Sequence, residues 1–198
     1  MAAPSRNERP AYTVDSLTDV AVGLFTTRGY DATRVEHIAR AANISKSSVY
    51  HHVSGKEELL RHALDRAVGA LWAVFDEPAA RDGAALARLI HIMRRTMAVQ
   101  LRLQPEMQLL MRVRGNTDTE RWALSERQRF EHRCADLVRA AQGEGDLRGG
   151  RDAALLVHLA FSMTNSVVEW FRPDGTWSHR EVVDTVIEVM LDGTRSGG

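Results

Sequence analysis

Apolar residues recur at three- and four-residue spacing from Val14 to Met190, and no segment alternates convincingly with period two. That period belongs to a helix face and not to a pleated strand, so an all-α fold is expected. Val14, Leu17, Ala21, Leu24 and Phe25 set out a first helix, stopped at Gly29, where a left-handed cap carries no Cβ penalty. Thr33 is expected to cap a second helix, with Glu36 completing a capping box and Val35, Ile38, Ala39 and Ala42 facing inward. Asn43 tolerates left-handed backbone and can end it. Ile44 would plug the inter-helix angle, and Ser45 would cap a third helix from Lys46 to about Val53. Two short helices joined by so tight a turn make a helix-turn-helix. After a break at 54–56, the apolar spacing from Glu57 to Phe75 predicts a fourth helix of about twenty residues, or ~30 Å.

Beyond an interruption at 78–83, five more helices are expected, about nine in all. Leu86 to Leu101 carries the fifth, ended near Pro105, and Met107 to Val113 the sixth, before a Gly115-Asn116 turn. Trp122 to Ala141 gives the seventh, up to the GEGDLRGG loop. The eighth, Asp152 to Phe171, is apolar on most of its circumference; after the turn at 172–175 the ninth spans Ser178 to Asp192. The expected division is residues 1–60, with 1–12 a flexible arm, and 61–198.

The apolar share, 44%, supports a true core, and the formal net charge of zero confines any nucleic-acid patch to one region. The single cysteine, Cys134, excludes an internal disulfide and suits a reducing cytoplasm. No signal peptide is expected from the N-terminal residues, and the apolar eighth helix, interrupted by His158, Asn165 and Glu169, reads as buried, not as a membrane span. His51-His52 makes no metal site, since neighbours on a helix face different ways, and neither metal nor cofactor is expected. Without paired carboxylates or a nucleophile motif, no enzyme is expected.

The stretch 43–60, NISKSSVYHHVSGKEELL, holds both lysines of the chain, Lys46 and Lys56, with a hydroxyl run, Tyr50 and two histidines. That mixture makes poor core and a good surface for phosphates and base edges. Residues 24–60, LFTTRGYDATRVEHIARAANISKSSVYHHVSGKEELL, resemble the DNA-binding domain of the TetR family of bacterial regulators. The match runs through Phe25, Gly29 and Tyr30, Ala32-Thr33, Ile38-Ala39, Ser45-Lys46, Tyr50-His51-His52 and Lys56-Glu57-Glu58-Leu59-Leu60. The sequence departs from the usual pattern at Asn43 and Ser47, where glycine is common, and at Val53-Ser54-Gly55.

The resemblance implies a repressor that leaves a palindromic operator when a small molecule binds a C-terminal, dimerising domain. The implied partners are double-stranded DNA, a small-molecule effector and a second copy of the chain in a bacterial cytoplasm. Thr33 would offer hydroxyl and amide to a phosphate, and Arg34 would add a second contact. Lys46, Ser47 and Ser48 would meet base edges in the major groove; Tyr50 and His51 follow one turn on, and Lys56 would hold a flanking phosphate. His52 is expected to turn inward, while Arg6 and Arg9 in the arm could reach a minor groove.

Soft apolar side chains make the effector candidates: Trp72, Met93, Met97, Met111, Trp122, Phe130 and Phe161, with Arg114, Asn165, Arg112 and His158 as polar partners. Cys134 reads as a small core residue. The EWFRPDGTWS stretch is similar to one in regulators of fatty-acid and aromatic-acid catabolism, which implies an acyl-CoA, although a drug-like or steroid-like effector is equally compatible. The eighth and ninth helices are the dimer candidates. A helical interaction protein without specific DNA binding is the alternative.

Overall fold

The computed structural model describes residues 12–172 and 174–192; the expected arm with Arg6 and Arg9, and Pro173 of the expected turn, lie outside them. The described residues form ten α-helices and one 3-10 turn, with no strand. Two compact units divide between Ala63 and Leu64, inside the fourth helix.

The first unit contains α1 (Val14–Arg28), α2 (Val35–Ala41), α3 (Lys46–Tyr50) and the start of α4 (Lys56–Ala73). Leu17, Ala21 and Phe25 of α1 are buried, as are Ile38 of α2, Val49 of α3 and Leu59 and Ala63 of α4. Burying a Leu, Ile or Phe side chain of this kind stabilises by about 1.5–3 kcal/mol each.

The ends of these helices are made locally. Thr13 and Ser16 cap each other's backbone at the start of α1. Gly29 closes α1 at φ +89°, a region that side-chain-bearing residues avoid. Asn43 takes φ +53° between α2 and α3, and the Ser45 hydroxyl accepts from the Ser48 amide. Glu58 reaches back to accept from the Ser54 amide and hydroxyl at 2.7 and 2.8 Å, capping α4 from within.

Three local expectations change. Thr33 does not cap α2; Arg34 holds that position, with its amide donating to His37 Nδ1. Thr33 is buried instead, because its hydroxyl donates to Gly29 O at 2.8 Å and tethers the α1–α2 turn. And α3 ends at Tyr50, so that Val53 swings into the core and His52 is exposed, where an inward His52 was expected.

The second unit adds to the rest of α4 a 3-10 turn (Val74–Asp76), α5 (Pro78–Arg81), α6 (Ala85–Arg102) and α7 (Gln104–Arg112). It continues with α8 (Asp118–Gly143), α9 (Ala153–Trp170) and α10 (His179–Asp192). The expected interruption at 78–83 contains the extra helix, α5, begun by Pro78 at its first position, where the missing N–H costs nothing. The expected fifth to ninth helices are thus α6 to α10. Central to this unit is α6, which packs against α5, α7, α8, α9 and α10. Its N-terminus has no side-chain cap of its own; Glu144, just past α8, accepts from the Ala85 amide at 2.8 Å. No helix among the described residues is long and apolar enough to cross a membrane.

Glu120 organises the α7–α8 turn. Its carboxylate is buried and accepts from the Arg114, Gly115 and Asn116 amides at 2.8, 2.8 and 3.1 Å. Burial opposes ionisation, but the three amides outweigh it and hold the carboxyl below its ordinary value of 4.5. A carboxyl so depressed stabilises the fold fully above its unfolded value, and that contribution fades as pH falls through the lower folded value. Glu120→Gln should therefore cost about 1–2 kcal/mol at pH 7. In thermal melts the gap to the parent protein should narrow below pH 4.5.

Candidate nucleic-acid interface and ligand cavity

In the first unit α3 has one buried residue, Val49, and presents the others outward. Lys46, Ser47 and Tyr50 are exposed, Ser48 is half-buried, and His51, at the C-cap, is exposed. The Ser45 hydroxyl lies 2.8 Å from that of Ser47 and 2.7 Å from that of Ser48, a patch of exchangeable donors and acceptors at the helix start. Tyr50, 48% exposed, is not packed into the core. Lys46 Nζ donates to Glu36 Oε1 across the turn at 2.5 Å and lies 5.8 Å from the Tyr50 ring centre. The hydrogen bond from Lys46 holds the Glu36 carboxyl low and, in return, the lysine ammonium protonated. Arg34, exposed at the head of α2, flanks this patch.

Two expected contacts do not belong to it. Thr33 is fully buried, with its amide given to Tyr30 O and its hydroxyl to Gly29 O, so it has no donor left for a phosphate. Lys56 turns inward as well. Its Nζ donates to Tyr30 O at 2.8 Å, Thr33 O at 3.0 Å and Asp31 O at 3.4 Å, with the Tyr30 ring centre 4.2 Å away. An ammonium has three protons, and three carbonyls of the α1–α2 turn take them. Lys56 is a staple between α4 and that turn.

The second unit has a cavity of about 240 Å³ walled by α6, α8, α9 and α10 and by the loop before α9. Leu89 and Met93 of α6, Cys134 and Val138 of α8, Val157, Ala160 and Phe161 of α9, and Met190 and Leu191 of α10 make it apolar. Burial pushes the Cys134 thiol up to about 12, with Glu131 adding to the effect, so the cysteine acts as a small hydrophobe. Leu159 and Met163 also line the cavity although both are exposed. Arg151 supplies the one charged lining group.

A neighbouring cavity of about 30 Å³, lined by Leu71 and Trp72 of α4, Met107 and Met111 of α7, and Phe130 of α8, is more polar. There Trp72 Nε1 donates to Glu126 Oε2 at 3.0 Å, and Gln100 Nε2 to Asn165 Oδ1 at 2.8 Å. Thr96 and Phe161 line both cavities.

Of the expected effector residues, Met93 lines the larger cavity, Trp72, Met111, Phe130 and Asn165 the smaller, and Phe161 both. The other five line neither. Met97 is buried in the packing of α6, Trp122 is half-buried near the start of α8, and the Arg114 side chain points to solvent because Glu120 fixes its backbone in the turn. Arg112 is exposed, and His158, largely exposed, faces Glu131 at 3.8 Å. Missed among the polar lining residues were Thr96, Gln100, Glu126, Arg127, Glu131, Arg151 and Thr164. Thr96 had a legible signal: it is a hydroxyl on an apolar helix face between Met93 and Met97.

Outside the cavities, Leu155, Leu159 and Met163 form an exposed stripe along α9, joined by Trp170, Trp177 and Val189. No cluster of three or more potential metal ligands occurs among the described residues.

Residues 17–63 match the family described as bacterial regulatory proteins, tetR family, and residues 82–194 match the tetracyclin repressor-like C-terminal domain. The chain is 30% identical over 190 residues to the transcriptional repressor KstR2 of Rhodococcus jostii, spanning 91% of this chain and 90% of the relative. A TetR-family regulator from Streptomyces coelicolor A3 shares 49% identity and a TM-score of 0.85, over 94% of each chain. AibR, solved with isovaleryl coenzyme A and operator DNA, is similar in fold, with a TM-score of 0.80 at 19% identity over 90% of this chain and 97% of AibR.

Proposed function

The chain belongs to the tetR family of bacterial regulatory proteins, and on that premise we propose that it is a homodimeric repressor that releases a palindromic operator when a small molecule occupies its C-terminal unit. The observation that carries the reading is the division of α3: Val49 alone anchors it, and Lys46, Ser47, Tyr50 and His51 have no core duty. Ser47 and Ser48 at the N-terminal end would meet base edges, Lys46 a guanine edge or phosphate, Tyr50 and His51 a thymine methyl or the backbone, and Arg34 a flanking phosphate. Thr33 and Lys56 support that surface from behind.

A five-residue helix reads few base pairs, so specificity needs a second head related by two-fold symmetry. The apolar stripe of α9, with Trp170, Trp177 and Val189, is the surface on which a second copy would pack. The apolar cavity would take the effector. Its walls suit an acyl chain or small ring system, and Arg151 at the rim suits an anionic head group such as that of an acyl-CoA. Because α4 begins in the first unit and lines the smaller cavity with Leu71 and Trp72, a shift of α4 on effector binding would change the spacing of the paired heads.

Selection from random duplexes by the purified protein tests the reading. A near-palindromic sequence should be enriched, and its affinity should fall steeply with salt. Binding to every duplex alike at moderate salt would instead favour a helical interaction protein.

A further inference from the structure

With Thr33 and Lys56 turned inward, Arg34 is the phosphate contact that remains on the α2 side of the first unit. Beside it stands His37, half-buried, one turn into α2. Its ring folds back over the start of the helix, where Nδ1 accepts from the Arg34 amide at 3.2 Å. A backbone N–H can only donate, so Nδ1 holds a lone pair and the ring proton is on Nε2. The hydrogen bond therefore settles which nitrogen is the donor. Nε2 has no partner among the described residues, and it is not sealed in, since the one buried, unpaired side-chain polar atom among them is Thr96 Oγ1. Val35, Ile38, Ala39 and Ala42 take the inward face of α2. The opposite arc carries Glu36, His37 and Arg40, and through Glu36 it meets Lys46 at the tip of α3.

Resting on the DNA-reading head proposed above, we infer that His37 is a further DNA-positioning residue, whose Nε2–H donates to a non-bridging phosphate oxygen of the strand that Arg34 meets. The donor is a ring N–H held in place by the backbone; the end of so short a helix adds nothing to it. A freely rotating side chain loses rotamer freedom when it binds, whereas this ring has already lost it in the fold. A ring that accepts at Nδ1 carries no net charge, so its bond to a phosphate displaces no condensed counterion. Arg34 supplies the attraction, and His37 fixes the angle at which the head meets the backbone. Such a contact sets register and orientation and carries no base preference.

The test uses the full-length protein and the duplex enriched from random sequences, with a methylphosphonate placed at one phosphate at a time. In the parent protein the phosphates that the head touches should each show a penalty. In His37→Ala one of those penalties per half-site should shrink by roughly threefold to tenfold while the others stay. It should be the penalty that Arg34→Ala also reduces, or the one beside it. Losing the cap alone would weaken binding to every modified duplex alike, so coupling at one phosphate separates a contact from a cap. His37→Ala should leave the salt slope at the parent value, whereas Arg34→Ala should lower it by about one per head. His37→Gln, which keeps an acceptor for the cap and a donor beyond it, should melt as the parent does and regain most of the affinity. Penalties unchanged at every phosphate in His37→Ala, or a salt slope lowered as in Arg34→Ala, overturn the role of His37 and leave the DNA-reading head standing. Failure to enrich any duplex overturns that head and this inference with it.

Discussion

Leu155→Glu is expected to leave the fold intact and to abolish tight operator binding. Leu155 is 57% exposed, lines neither cavity and begins the α9 stripe, so a carboxylate there meets water in a single chain. In the proposed dimer the same carboxylate would be pressed into an apolar contact, a desolvation that costs several kcal/mol per charge. The substitution should therefore produce a helical monomer at micromolar concentration. With the second head lost, operator affinity should fall by about 10²–10⁴, the usual gain from linking two binding modules. Light scattering and a duplex titration on the same sample measure both effects. A monomer that still binds the operator tightly would remove the paired-head mechanism, and an undisturbed dimer would place the interface elsewhere.

Lys56→Met should damage the first unit itself. The methionine keeps the apolar stem and loses the three donors and the contact with the Tyr30 ring. Hydrogen bonds from a charged donor contribute about 1.5–3 kcal/mol each, and those to partly exposed carbonyls contribute less. A loss of about 2–3 kcal/mol for the unit is the expected total. DNA binding should fail because the α1–α2 turn loosens, and lowering the salt should not restore it. A phosphate-contacting lysine would behave otherwise: the fold would survive and the salt slope would fall by about one. Lys56→Arg should rescue poorly, since a planar guanidinium does not converge on three carbonyls as an ammonium does. Melting followed through the first unit, together with the salt slope, separates the two roles.

The contrast between Lys46 and Lys56 shows what kind of information a sequence carries. Gly29, Asn43 and Ser45 were legible because each position's chemistry is local: a positive φ at the first two and a hydroxyl one turn from an open amide at the third. The two lysines lie in one motif and look alike, yet one is exposed and the other points inward. What decides between them is the return of the chain at Tyr30 to Thr33, more than twenty residues before Lys56, and no periodicity reports that. The position of Val53 has a similar origin, since ending α3 one turn early rotates every later residue. In the second unit the helices were legible as apolar stripes, α5 excepted because four residues are too few to show a period. The cavity was only half legible: stripes reveal which side chains face inward, while a void depends on how four helices fail to close around them. Met93 and Met97, one turn apart on α6, fall on opposite sides of that distinction.

The ion pair between Lys46 and Glu36 bears on how such a head would search a genome. Without DNA, the lysine at the tip of α3 already rests on a carboxylate that imitates a phosphate oxygen. Any duplex that takes the lysine must first separate it from Glu36, so a passing backbone phosphate offers an exchange of near equals. In the proposed complex, a guanine edge that engaged Lys46 together with its serine and tyrosine neighbours would offer more than the carboxylate does. The half-exposed pair would then act as an internal reference worth about 0–1 kcal/mol, weighing against adhesion to wrong sites and not against the right one.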